Sequence, residues 1–202
     1  DHLITAIAGE GYIRVIAAET TNICEDSRKI HGTSAVATAA LGRALTASAL
    51  MSSQLKNETD SITLTIHGHG PLGTLTCVTD AHANVRGYVA NPQVELPIRE
   101  NDGKLDVGKA IGKGYLTVIK DLSLKEPYMG TSELISGEIA EDLAYYYNIS
   151  EQVPTVMSLG VRVAPDPSGK EPFIVEKAGG FMAQLLPGAP EEVISRLEMN
   201  AN

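Results

Sequence analysis

The densest chemistry-bearing pattern is His67-Gly68-His69-Gly70-Pro71-Leu72-Gly73. Gly68 to Gly73 satisfies G-x-G-x-x-G and follows a predicted strand, as a dinucleotide-binding loop should. That chemistry needs a helix to begin at the glycines, so that its N-terminal N–H groups meet the pyrophosphate. Here Thr74-Leu75-Thr76-Cys77-Val78-Thr79 follows, which is a β pattern. The glycines are therefore read as closing a hairpin or bulge.

Metal chemistry has one candidate set: His67, His69 and His82, with Asp80. A catalytic zinc site needs three ligands converging on one point and an open position. His67 and His69 share a strand face, but Asp80 and His82 fall in the next turn, at the opposite end of the same hairpin. Convergence is not implied, and surface histidines are the simpler reading. A small-ligand or metal-dependent enzyme domain built on His67, His69 and His82 stands as the alternative function. Gly112-Lys113-Gly114 lacks the rest of a P-loop, and no G-x-S-x-G elbow supports serine chemistry. No residue is assigned a catalytic, cofactor-binding or metal-binding role.

Cys24 and Cys77 have no Cys or His at ligand spacing, and two distant cysteines do not make a disulfide scaffold. They read as reduced, partly buried cytosolic thiols. Tyr145-Tyr146-Tyr147 is the one aromatic cluster. Three successive residues cannot share one helix face, so at least one tyrosine is expected at the surface, where it could serve a partner.

The elements that would position these residues follow from periodicity. Gly11 to Glu19 reads as a strand, Thr20 to Lys29 as a short helix broken by Gly32, and Thr33 or Ser34 as the cap of a long helix to about Leu55. Ile62-Thr63-Leu64-Thr65-Ile66-His67 alternates strictly, the mark of a half-buried strand. Strands at 74–79 and 85–90 complete a meander. Residues 91–112 read as a long irregular connection. Strands at 115–120 and 128–134, a helix at 136–148, strands at 155–164, 173–177 and 180–186, and a helix opened by Pro190 finish the chain. Runs of strands separated by helices predict an α+β fold, with largely antiparallel or mixed sheets packed with helices in a single core domain.

Composition narrows the function. With 16 basic and 25 acidic residues the formal charge is −9, which repels phosphate backbones, so nucleic acid is an improbable partner. The apolar stretch 33–55 nearly matches a bilayer in length, but Arg43 sits in its middle, so it is read as a packed helix of a cytosolic protein and not as a membrane span. The first residues lack the basic region of a secretory signal.

Six motifs in order resemble one family: Gly68-x-Gly70-Pro71-Leu72, Val85-Arg86-Gly87-Tyr88, Gly112-Lys113-Gly114-Tyr115-Leu116-x-Val118, Pro127-Tyr128-x-Gly130, Ser150-Glu151-Gln152-Val153-Pro154-Thr155, and Ala178-Gly179-Gly180-Phe181-x-x-Gln184-Leu185-Leu186-Pro187-Gly188. Together they resemble the redox-regulated bacterial holdase called the thirty-three-kilodalton heat-shock protein. The resemblance implies a cytoplasmic, ATP-independent chaperone, not an enzyme, that binds unfolded or partly folded clients and dimerises when active. It implies a client-binding core over residues 1–188, with 189–202 opening a helical linker. In the family, zinc is held by four cysteines of a C-terminal domain, as C-x-C and C-x-x-C. Oxidation forms two disulfides and releases the zinc. Neither cysteine pair is present here, so no zinc or redox role passes to Cys24 or Cys77, and no cofactor is expected in this chain. The resemblance does not say which residues touch clients.

Overall fold

Helix α2 (Ala35–Ser52) is the axis of the molecule. Its alanines, threonines and serines let neighbouring backbones come close, and 89% of its residues are buried by the rest of the chain. It is long and apolar enough to cross a membrane by length and composition, yet it packs on both sides against the chain's own sheets. Ser34 caps it, accepting the Ala37 N–H at 3.3 Å, as one of the two predicted caps. The computed structural model describes residues 1–201.

The strands are β1 (His2–Ala8), β2 (Ile13–Glu19), β3 (Ser61–Gly68), β4 (Thr74–Asp80), β5 (Val85–Val89), β6 (Gly114–Asp121), β7 (Tyr128–Glu133), β8 (Thr155–Ala164) and β9 (Ile174–Leu185). The other helices are α1 (Thr21–His31), α3 (Val107–Ile111), α4 (Ala140–Ser150) and α5 (Glu191–Ala201). A four-stranded sheet runs β1-β2-β9-β8 and a five-stranded sheet runs β5-β4-β3-β6-β7, both antiparallel throughout. The fold is the predicted α+β arrangement.

The core lies between the inner faces of the two sheets, with α2 in the middle. From the five-stranded sheet come Ile62, Leu64, Ile66, Leu75, Cys77, Leu116 and Val118; from the four-stranded sheet come Ile16, Met157 and Met182. Tyr146 and Tyr147 of α4 are fully buried, their rings in an edge-on contact at 5.5 Å, while Tyr145 is partly exposed. The tyrosine run therefore divides as helix geometry requires.

Four elements differ from the sequence reading. Residues 2–8 form a strand that was not predicted, and α3 lies inside the stretch read as irregular. Strands read separately at 173–177 and 180–186 are one continuous β9. Gly179 and Gly180 look like a break but mark close backbone approach: a Cβ there would sit 2.6 Å from the Ala18 oxygen and 2.4 Å from the Ser158 oxygen. Finally, α4 begins at Ala140, not at 136. The buried Asp142 carboxylate accepts the N–H groups of Ile135, Ser136, Gly137 and Ile139, wrapping that segment over the helix start. Glu138, which precedes the helix, accepts from Arg43 and Arg99, satisfying the charge in the middle of α2.

Candidate functional site

Most of the glycine-rich loop's N–H groups are already committed to backbone carbonyls. The N–H groups of His69, Gly70 and Leu72 are given to the carbonyls of Lys113, Ile111 and Ala110, at 2.7, 2.7 and 3.0 Å. A Cβ on Gly68 would lie 2.2 Å from the Ile111 oxygen, and one on Gly70 2.4 Å from the Ala110 oxygen. These glycines seat the β3–β4 connection on the C-terminal end of α3. Gly112-Lys113-Gly114 is the other side of the same seam. The six-residue pattern that most resembles a cofactor loop is a backbone joint, as the strand after it implied.

The histidines are not brought together. The register pairs His67 with Thr74 at one end of the β3–β4 hairpin and Ser61 with Asp80 at the other. His67 stacks on Tyr115 at 4.6 Å. Asp80 shapes the next turn by accepting the N–H groups of His82 and Asn84. Among the described residues, no group of three or more His, Cys, Asp or Glu is placed to hold a metal ion. Cys24 packs under β9 with Val175 and Ala178, and Cys77 sits in the core beneath the five-stranded sheet. Burial pushes the Cys24 thiol up to about 11 and raises that of Cys77 as well. Two separated, buried thiols do not fit the four-cysteine zinc site implied for the family's regulatory domain.

A groove of about 860 Å³ lies between the β8–β9 hairpin, α2 and residues 98–105. Its lining is apolar residues such as Ile98, Leu105 and Val161 with Arg43, Lys104, Arg162 and Lys177, and it includes no histidine, carboxylate, hydroxyl or thiol. Such a wall can bind but has no general base or nucleophile in the hydroxyl, thiol or imidazole class.

The surface most out of keeping with a solvated exterior is the outer face of the four-stranded sheet. Side chains alternate between faces, and Arg14, Ile16 and Ala18 point inward, so Ile13, Val15 and Ala17 point outward. The pairing register lines up three rows across the strands. They are Ile4–Ala17–Phe181–Ser158, Ala6–Val15–Ala183–Val156 and Ala8–Ile13–Leu185. Only Ser158 is polar. Ile4 is 60% exposed and Phe181 40% exposed. Apolar residues scattered singly on a surface mean little, but a continuous apolar sheet face marks a contact site. α5 reaches one corner of this platform: Val193 lies beside Gly9 and Ile13. Of the six sequence motifs, the one from Ala178 to Gly188 reaches the platform, through Phe181 and Leu185. The other signal available was β2 itself, where Ile13-Arg14-Val15-Ile16-Ala17-Ala18 is apolar at positions of both parities, so both faces of the strand carry apolar side chains.

Comparison with known proteins agrees with this geometry. The Hsp33 protein family model matches residues 1–202. The chain is 52% identical over 198 residues to the 33 kDa chaperonin of Acetivibrio thermocellus, covering 98% of this chain and 64% of that protein. It is 54% identical over 200 residues to that of Carboxydothermus hydrogenoformans, covering 99% and 67%. The crystal structure of the 33 kDa chaperonin from Thermotoga maritima superposes with a TM-score of 0.89 at 40% identity, over 98% of this chain and 66% of that one. The chain thus spans about two-thirds of the length of these relatives, whose shared name is that of a chaperone and not of an enzyme. On the family model and on identity over nearly all of its residues, the chain belongs to the Hsp33 family.

Proposed function

We propose that this domain is the client-binding part of an ATP-independent holdase: it takes up unfolding proteins on the outer face of the four-stranded sheet and keeps them from aggregating. The carrying observation is the set of apolar rows from Ile4 to Ser158, in which Ile4 and Phe181 are exposed and Val15 and Ala17 are half-buried. Burying apolar client surface there yields roughly 25 cal/mol per Å², so a few hundred Å² suffices for transient capture once ordering costs are subtracted. The charge of −9 keeps loaded complexes dispersed.

Residues 1–188 are the binding unit in this reading, and 189–202 open a helical linker. α5 meets the platform at Gly9 and Ile13, which supports a linker that limits access to it. Regulation by cysteine oxidation and zinc release, dimerisation of the active form and a cytoplasmic setting complete the reading. They are supported by membership of the Hsp33 family.

The test is suppression of thermal aggregation of a model client by the 202-residue chain, with and without peroxide. Suppression in both conditions is expected, because the chain's two thiols are buried. No suppression in either condition, or strict dependence on peroxide, overturns the proposal.

A further inference from the structure

Strand β1 differs from every other sheet edge in the molecule. It is seven residues long, His2-Leu3-Ile4-Thr5-Ala6-Ile7-Ala8, with no Asp, Glu, Lys, Arg, Pro or Gly. It pairs with β2 on one side only, and all its residues except Leu3 are exposed. Ile4 on the platform face and Ile7 on the opposite face are 60% and 59% exposed. Native edges are normally blunted by charge, Pro, bulges or a covering element. The other three edges are treated in this way. β8 has a register shift at Arg162/Val163 and an Arg162–Glu176 ion pair. β5 is five residues long and contains Arg86 and Gly87. β7 packs under α4, with the Tyr128 hydroxyl donating to the Ser150 carbonyl.

We infer that the free edge of β1 takes up an extended, uncharged segment of an unfolded client as an additional antiparallel or parallel strand, so that main-chain hydrogen bonds and the platform act together. This rests on the chaperone reading above and specifies its binding mode. Strand addition recruits the client through N–H and C=O groups that every sequence has, while alternate side chains of the added strand lie on the platform side. A strand without fixed charge imposes no electrostatic requirement on the client, and a segment added at β1 continues the Ile4 and Ala6 rows of the platform. A binder of many unrelated sequences needs that tolerance.

The probe is an end-capped eight-residue peptide of alternating valine and threonine, compared with the same peptide N-methylated at every amide. Binding to the 202-residue chain is read by fluorescence anisotropy, and the β1 amides by hydrogen exchange. The unmodified peptide is expected to bind at least tenfold tighter than the methylated one and to slow exchange of outward β1 amides about tenfold. I7E places a charge at the edge on the face away from the platform, opposite Arg14, where the register favours a cross-strand pair with β2. It is expected to weaken peptide binding about tenfold with the fold retained by circular dichroism. Equal binding of the two peptides, with aggregation suppression intact, overturns the edge assignment and leaves the platform reading standing. Protection of the β1 amides that rises with protein concentration in the absence of peptide also overturns it, by making a second copy the occupant. Failure of aggregation suppression with the peptide contrast intact would instead strike the chaperone reading alone.

Discussion

The two sheets turn similar architectures to opposite ends. Each presents an inner face to α2, which contacts strands of both sheets. On the five-stranded sheet the outer face carries six threonines, Thr63, Thr65, Thr74, Thr76, Thr117 and Thr131, beside Val78, Ile119, Met129, Tyr88 and Tyr115. On the four-stranded sheet it is Ile, Val, Ala, Phe and Leu. Threonine keeps the β-branched shape that suits a strand while its hydroxyl faces water. The first sheet therefore meets water with a hydroxyl-bearing row between its apolar residues, and the three central rows of the second hold one polar residue, Ser158. Stability should accordingly be concentrated where the five-stranded sheet meets α2 and α3, and binding on the four-stranded platform.

The largest effect should fall on the joint below the five-stranded sheet. G68A would put a methyl group 2.2 Å from the Ile111 backbone oxygen, with no flexible side chain to yield. A loss of about 3 kcal/mol is expected, seen as a melting temperature lowered by roughly 6–12 °C. A variant as stable as the parent would mean that this joint is not where the fold is held.

Next is F181D on the platform. Phe181 is 40% exposed, so the melting temperature should stay within about 3 °C of the parent, while aggregation suppression falls about tenfold. T65D, in the threonine row of the other sheet, should leave suppression unchanged. Equal losses from the two would erase the distinction between the faces.

The sequence made one sheet far more legible than the other, for the reason that separates their functions. Ile62-Thr63-Leu64-Thr65-Ile66 alternates because one face is wet, and alternation is the readable mark of a strand. β1 has Leu3, Ile4, Ala6, Ile7 and Ala8 with no such alternation, because neither of its faces is committed to water by polar side chains. It was therefore passed over. The glycine loop and the separated histidines could be judged correctly from the strand that follows them. Asp142 could not: a carboxylate gathering four N–H groups from 135–139 looks, in one dimension, like an ordinary acidic residue in a helix. The platform was invisible for a related reason, since it is assembled from strands as distant as β1 and β9 and becomes a surface only once their register is known.

A smaller, pH-dependent effect should appear behind the platform. Glu25 of α1 accepts from Arg28 and from the Val175 N–H of β9, and the Arg28 hydrogen bonds lead in holding its carboxyl down to about 2. A depressed carboxyl stabilises the fold fully above its ordinary value near 4.5, and that contribution is lost as the pH falls toward 2. The parent's melting temperature should thus decline more steeply than that of E25Q between pH 4.5 and 2. Parallel curves would remove Glu25 from the attachment of α1 to the four-stranded sheet.

The smallest effect is a near-absence of reaction, and it compares the sheets through one thiol behind each. With the Cys24 thiol raised to about 11, only about one molecule in a thousand carries its thiolate at pH 8, against roughly one in four for an ordinary cysteine. Cys24 is 1% and Cys77 0% exposed, so a thiol reagent must wait for the structure to open. Cys24 is reached by separating α1 from β9, on the side of the four-stranded sheet. Cys77 is reached only by parting the five-stranded sheet from α2. Labelling in native buffer should be very slow for both. In a urea titration, Cys24 should be modified at lower denaturant than Cys77, with mass spectrometry of the digested protein reading each site. If Cys77 is labelled first, the stable and adaptable halves have been assigned the wrong way round; if both are labelled together, the two sheets open as one unit and binding does not draw on a weaker half.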